Sequence, residues 1–191
     1  MKKSIFLAAL AVVAAVSAGC DKERFTPEHD STELWPAMSN ENGKYGYINE
    51  KGVFAIAPDY DVATGFSCGY AWVGSGDNTF FVDTKGKMQN APHFDDAQSF
   101  YYKYACVEVD DLYGMLNTKF KYAIQPIFYG LSNMGDNGLA VAQQTEDGLC
   151  GYVNSKGDWK IQPIYEYAEP FRNGLAIIEL GDKEGVINDN G

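Results

Sequence analysis

A unit of about 34 residues recurs along this chain and restricts the folds open to it more than any single residue does. The stretch Lys44-Tyr45-Gly46-Tyr47-Ile48-Asn49-Glu50-Lys51-Gly52 aligns with Leu149-Cys150-Gly151-Tyr152-Val153-Asn154-Ser155-Lys156-Gly157. Anchored on Asn49, Asp83, Asn117, Asn154 and Asn188, the steps are 34, 34, 37 and 34 residues. Pro58, Pro92, Pro126 and Pro163 keep the same step, as do Phe66, Phe100, Met134 and Phe171. Such self-similarity marks solenoids, propellers and stacked arrays, in which one unit cannot bury its apolar face alone.

Each unit opens with a short apolar run such as Gly46-Tyr47-Ile48, continues through Asn49-Glu50-Lys51-Gly52, and resumes with Val53-Phe54-Ala55-Ile56. That pattern reads as a β-hairpin. Asn or Asp bonds its own backbone at the start of the turn, and Gly supplies the positive φ at its end. Asp83-Thr84-Lys85-Gly86 and Asn154-Ser155-Lys156-Gly157 obey the rule, whereas Asn117-Thr118-Lys119-Phe120 ends in Phe. A left-handed Phe costs on the order of 1–2 kcal/mol, so this turn is expected to be altered. The second strand should stop at its Pro or lie at an edge, because Pro donates no ladder hydrogen bond. A third apolar run then follows, as in Ala71-Trp72-Val73 or Leu139-Ala140-Val141.

The expected fold is therefore all-β: a tandem β-repeat array of about four and a half units of 34–37 residues, stacked as short antiparallel hairpins in an open, solenoid-like array. A small closed β-propeller is the alternative. The units fall at about 44–75, 76–110, 111–146 and 147–181, with a partial copy at 182–191, inside a domain spanning 33–191. Glu33-Leu34-Trp35-Pro36-Ala37-Met38 reads as the last strand of a preceding unit, and 183–191 as the opening strand and turn of a fifth. In a ring these two ends would share a sheet; in an open array they are caps.

Residues 1–19 read as an export signal, with Lys2 and Lys3 ahead of an apolar run and Ser17-Ala18-Gly19 before Cys20. The small residues ahead of Cys20 resemble the lipobox of bacterial lipoproteins. That resemblance implies lipidation of Cys20, a membrane partner and a charged flexible tether over 20–32. Lys22-Glu23 is similar to part of the surface-export signal of Bacteroidota lipoproteins. Outer-membrane localisation with surface exposure is the expectation, and a periplasm-facing array is the alternative.

From Gly151-Tyr152-Val153-Asn154 through Gly157, Ile161-Gln162-Pro163-Ile164-Tyr165 and Phe171-Arg172-Asn173-Gly174-Leu175-Ala176, the units resemble the WG repeat family. The resemblance covers about residues 33 to 191 and implies a β-repeat fold without an agreed activity. Tyr45, Tyr113, Cys150 and Glu184 stand where the family has Trp, and Phe80 replaces the following Gly in the second unit.

The chain has 15 basic and 26 acidic residues and a net charge of −11, which becomes −13 once Lys2 and Lys3 leave with the signal. Such a surface is repelled by phosphate backbones, so nucleic acid is not an expected partner. Beyond Cys20, three cysteines (Cys68, Cys106 and Cys150) leave an odd number, which allows one disulfide at most. Only His29 and His93 are present, which disfavours a His-based triad or zinc site, and no phosphate-loop or dinucleotide motif occurs. No cofactor is expected. The acidic pairs Asp95-Asp96 and Asp110-Asp111 read first as solvated turn residues.

Aromatics fixed in the repeat, namely Tyr47, Phe81, Tyr152, Tyr60, Phe94, Phe128 and Tyr165, read as core. Trp72, Tyr101, Tyr102 and Trp159 fall outside that pattern and are the candidate surface-binding aromatics. The expected function is that of a non-enzymatic binding module for a protein or glycan. A carboxylate-based envelope hydrolase acting on carbohydrate and a structural spacer are the alternatives.

Overall fold

The computed structural model describes residues 33–191. The signal 1–19, the lipidation candidate Cys20 and the tether through residue 32 lie outside the described residues. Five small antiparallel sheets follow one another along the chain, and no helix occurs among the described residues. The first sheet holds β1 (Trp35–Met38), β2 (Tyr45–Ile48) and β3 (Phe54–Tyr60). The second holds β4 (Val62–Ala63), β5 (Tyr70–Ser75) and β6 (Asn78–Asp83). The third has four strands, β7 (Asp96–Ala97), β8 (Tyr104–Val109), β9 (Leu112–Asn117) and β10 (Tyr122–Phe128). The fourth repeats it with β11 (Gly130–Leu131), β12 (Leu139–Gln143), β13 (Cys150–Asn154) and β14 (Trp159–Tyr165). The fifth has β15 (Tyr167–Ala168), β16 (Leu175–Glu179) and β17 (Glu184–Asn188). The first and last strands lie in different sheets, so the array stays open rather than joining its ends in one sheet.

Each sheet straddles two sequence units. The third strand of one unit turns tightly into the first strand of the next: Val109 pairs with Leu112 across Asp110 and Asp111, whose φ values are 50° and 63°. Two left-handed residues in a two-residue loop match the right-handed twist of the flanking strands. The hairpin expected at the Asn-to-Gly tetrapeptides follows. β3, β10 and β14 do not stop at Pro58, Pro126 and Pro163 but run two residues beyond, as the outermost strands of their sheets. Tyr47 pairs with Ile56 and Tyr45 with Tyr60, so the register shifts around Pro58. Pro is accommodated at an irregularity on an edge, where its missing N–H leaves no gap in the ladder.

The turn at 117–120 is not altered, contrary to the sequence expectation. Phe120 N–H donates to Asn117 O at 2.8 Å, as Gly52, Gly86 and Gly157 do to Asn49, Asp83 and Asn154 at 2.9, 2.9 and 3.0 Å. Phe120 adopts φ 56°. Its strain is offset by burial, for its ring lies within 4.8–5.8 Å of Tyr70, Phe81 and Phe100.

Four apolar clusters fill the gaps between successive sheets. Tyr47, Ile56, Ala71, Val73 and Val82 join the first two sheets. Phe81, Phe94, Phe100, Ala105, Val107, Leu116 and Phe120 join the next pair. Period-2 alternation sends neighbouring side chains to opposite gaps: Ala105 and Val107 of β8 face the second gap, while Cys106 faces the third with Met115 and Ile124. Tyr152, Leu139 and Phe171 fill the fourth. Tyr47, Phe81, Phe94, Phe128, Tyr152 and Tyr165 are buried, and Tyr60 is half-buried against the first cluster. Tyr47 and Tyr152 satisfy their hydroxyls by donating to Thr64 O and Glu169 O, at 2.8 and 2.9 Å.

A cleft in the second unit as the candidate functional site

Where an outer strand follows it, the glycine after the family Trp position has no room for a side chain. A Cβ at Gly46 would lie 2.5 Å from Ile56 O and 2.8 Å from Pro58 Cα, both backbone atoms of the adjoining strand. Gly114 and Gly151 meet the backbone of β10 and β14 at 2.7 and 2.6 Å. In the second unit Phe80 occupies this place, so a strand following the course of β3 would collide with its side chain. That strand is missing from the second sheet, which ends at β6.

A second substitution removes what would have held it. Ile56, Ile124 and Ile161, each two residues before the unit's Pro, are buried. Asn90 stands in their place in the second unit and is exposed. Pairing starts normally, with Val82 bridging Met88 and Gln89 N–H donating to Phe81 O at 2.8 Å. It is recovered only at Phe94, whose ring is buried and whose carbonyl accepts the Thr79 hydroxyl at 2.7 Å. Between these two ties no ladder pair joins residues 90–93 to β6, and Ala91 N–H donates back to Gln89 O at 3.0 Å. This unpaired bow and β6 enclose a cleft of about 610 Å³ lined by residues that include Ser75, Asn78, Thr79, Phe80, Met88, Asn90 and His93.

Among the described residues the lining carries no carboxylate, lysine or arginine. His93 sits at one end, its Nε2 3.3 Å from Asp95 Oδ1. Gln89 is held by Asp83 Oδ2 and Lys87 O at 3.3 and 2.8 Å, while Asn78, Met88 and Asn90 are exposed to solvent. The arrangement offers amides, hydroxyls and part of the Phe80 ring, which packs edge-on to Tyr60 at 6.1 Å, with little fixed charge.

The repeat geometry has a counterpart in sequence comparison. The model of the WG containing repeat family matches residues 45–78, 80–113, 113–146 and 151–183. The chain belongs to the WG containing repeat family. No curated protein matches it. Within this WG array the second unit departs from its sisters at Phe80 and Asn90, and the cleft lies where both departures meet.

Of the aromatics singled out in the sequence, Trp72 is half-buried on β5 against the second cluster, and its indole N–H is buried without a hydrogen-bond partner among the described residues. Trp159 is half-buried on β14 and meets Phe128 edge-on at 5.7 Å. Tyr102, at φ 46°, holds the turn position occupied by Cys68 and Asn173 in other units and packs against the third cluster. Tyr101 is 40% exposed, with its ring 4.5 Å from that of Tyr102. Tyr101 and Tyr102 thus touch each other, and none of the four lines the cleft.

The acidic residues act as braces. Asp95 Oδ2 accepts Asp110 N–H at 2.8 Å across the β8–β9 turn, and Asp61 Oδ2 accepts Gly76 N–H at 2.8 Å across the β5–β6 turn. The Lys44 ammonium, 2.6 Å from Asp61 Oδ1, together with that backbone bond holds the Asp61 carboxyl below its ordinary range. Cys106 and Cys150 carry free, buried thiols, so neither pairs with Cys68.

Proposed function

We propose that this WG-repeat chain is a lipid-anchored envelope protein that works as a non-enzymatic interaction module for a protein or glycan, exposed on the outer membrane. The observation that carries this reading is the cleft: one unit of an otherwise regular array gives up a strand and gains an open recess with little fixed charge. A stacked scaffold holding such a recess on rigid sheets suits recognition, since little ordering is left for a ligand to induce. The braced roles of Asp61 and Asp95 give two of the carboxylates structural work. The sequence Ala18-Gly19-Cys20 behind an apolar run supports the anchor.

Protease shaving of intact cells, with lysed cells as control, tests the placement; radiolabelled palmitate incorporation into wild type and Cys20→Ala tests the anchor. Cleavage on intact cells and label lost in Cys20→Ala are expected. Protection until lysis would refute surface exposure, and label retained in the variant would refute lipidation at Cys20.

A further inference from the structure

We propose that the second-unit cleft is a binding site for a neutral saccharide, a few sugar rings of an uncharged glycan. This rests on the interaction-module reading and specifies its ligand. The volume of about 610 Å³ falls in the range typical of small-ligand pockets, roughly 300–1,000 Å³. The lining excludes other chemistries one at a time. A cationic ligand would need a carboxylate, and none lines the cleft among the described residues. An anionic ligand, whether phosphate, uronate or acidic peptide, would need Lys or Arg, which the lining also lacks, and would approach a chain of net charge −11.

An extended peptide adding to β6 would need the free ladder groups of that strand. The Phe81 carbonyl is already taken by Gln89 N–H, Val82 bridges Met88, and Phe80 stands where an added strand following the course of β3 would run. What remains suits a sugar. Asn78 and Asn90 present amides carrying both donors and an acceptor, which can bridge neighbouring hydroxyls. Ser75 adds a hydroxyl and Thr79, whose proton goes to Phe94 O, an acceptor, while exposed Met88 and the free part of the half-buried Phe80, edge-on to Tyr60 at 6.1 Å, offer apolar surface to the C–H face of a ring. The same two substitutions that open the cleft supply its aromatic and one of its amides, so the departure from the repeat builds the lining as well as the space.

The test uses saturation-transfer NMR on residues 21–191 with cellobiose, maltose, lactose and diacetylchitobiose, alongside digalacturonate and a neutral Ala/Ser hexapeptide. Transfer to at least one neutral disaccharide is expected, with none to the acidic sugar. In Asn78→Ala/Asn90→Ala, two exposed positions, affinity should fall at least tenfold with an unchanged melting curve. The triple variant Phe80→Gly/Asn90→Ile/Phe120→Gly restores the regular repeat pattern and should abolish binding while keeping the β circular dichroism spectrum. Absence of binding by every neutral disaccharide, or undiminished binding in the double variant, would overturn the proposal. Preference for the hexapeptide or digalacturonate would do so as well. Should the wild-type chain bind none of the neutral disaccharides yet still capture a partner in whole-cell pull-downs, the interaction-module reading would survive and the saccharide assignment alone would fall.

Discussion

The ring of Phe120 meets that of Tyr70 edge-on, with centroids 4.8 Å apart and planes at 82°, although the backbone of Phe120 is left-handed. In the sister units the turn glycine rests on an isoleucine of the preceding unit: a Cβ at Gly86 would lie 3.0 Å from Ile56, at Gly157 3.5 Å from Ile124, and at Gly191 3.7 Å from Ile161. The corresponding residue before Phe120 is Asn90, which turns to solvent. Phe120 fills the space that Ile leaves, and packing compensates the strain. Truncating a buried Phe costs about 3–5 kcal/mol, and relieving a left-handed backbone returns about 1–2 kcal/mol. Phe120→Gly should therefore lose about 2 kcal/mol net, read as a lower urea midpoint at unchanged m-value; no loss would show that the ring does no packing.

Gly151→Ala should separate β13 from β14. The new methyl would sit 2.6 Å from Ile161 O and 2.7 Å from Pro163 N, rigid backbone atoms that cannot rotate away. Overpacking of this kind costs about 1–3 kcal/mol. Hydrogen exchange in Trp159–Tyr165 should accelerate relative to β12, which reproduces in the fourth unit what Phe80 does in the second.

Tyr152→Phe removes the hydroxyl that satisfies Glu169 O at 2.9 Å. Leaving a partly buried carbonyl unpaired costs about 1–3 kcal/mol, so thermal unfolding should shift down while the far-UV spectrum stays the same. Phe81 holds the equivalent place in the second unit, which shows that the ring alone fits the gap.

Much of this architecture was legible in the sequence because the repeat fixes which positions are equivalent. The hairpin turns, the buried aromatics and the all-β class follow from Asn, Gly and apolar residues recurring in step. Phe120 was misread because turn propensity is local, while its burial against Tyr70 and Phe81 depends on a neighbouring unit. Trp72, Tyr102 and Trp159 broke the repeat pattern and so looked exposed. Exposure is decided instead by which gap a strand or turn faces, and all three pack against clusters. Phe80 was visible as a departure from the family glycine. Its consequence required the distance between that glycine and the adjoining strand, which no sequence carries.

Burial pushes the Cys106 thiol up to about 12 from an ordinary value of 9.0, and also raises that of Cys150. Only the thiolate reacts, so both should resist iodoacetamide at pH 8 in the folded chain and be alkylated in urea. A folded-state value above the unfolded one favours the protonated native form. The contribution of Cys106 to stability is therefore present below about pH 9 and declines as pH rises toward 12, and that of Cys150 falls in the same direction. Fast alkylation without denaturant would contradict their burial.

Residue-resolved hydrogen exchange on the native wild-type chain most directly examines the loss of the strand in the second unit. Amides at the centres of Phe54–Tyr60, Tyr122–Phe128 and Trp159–Tyr165 should be protected, while those of Asn90 and His93 should exchange at least tenfold faster. Equal protection across all four segments would mean that the second unit pairs like its sisters and that the cleft between β6 and the bow does not persist in solution.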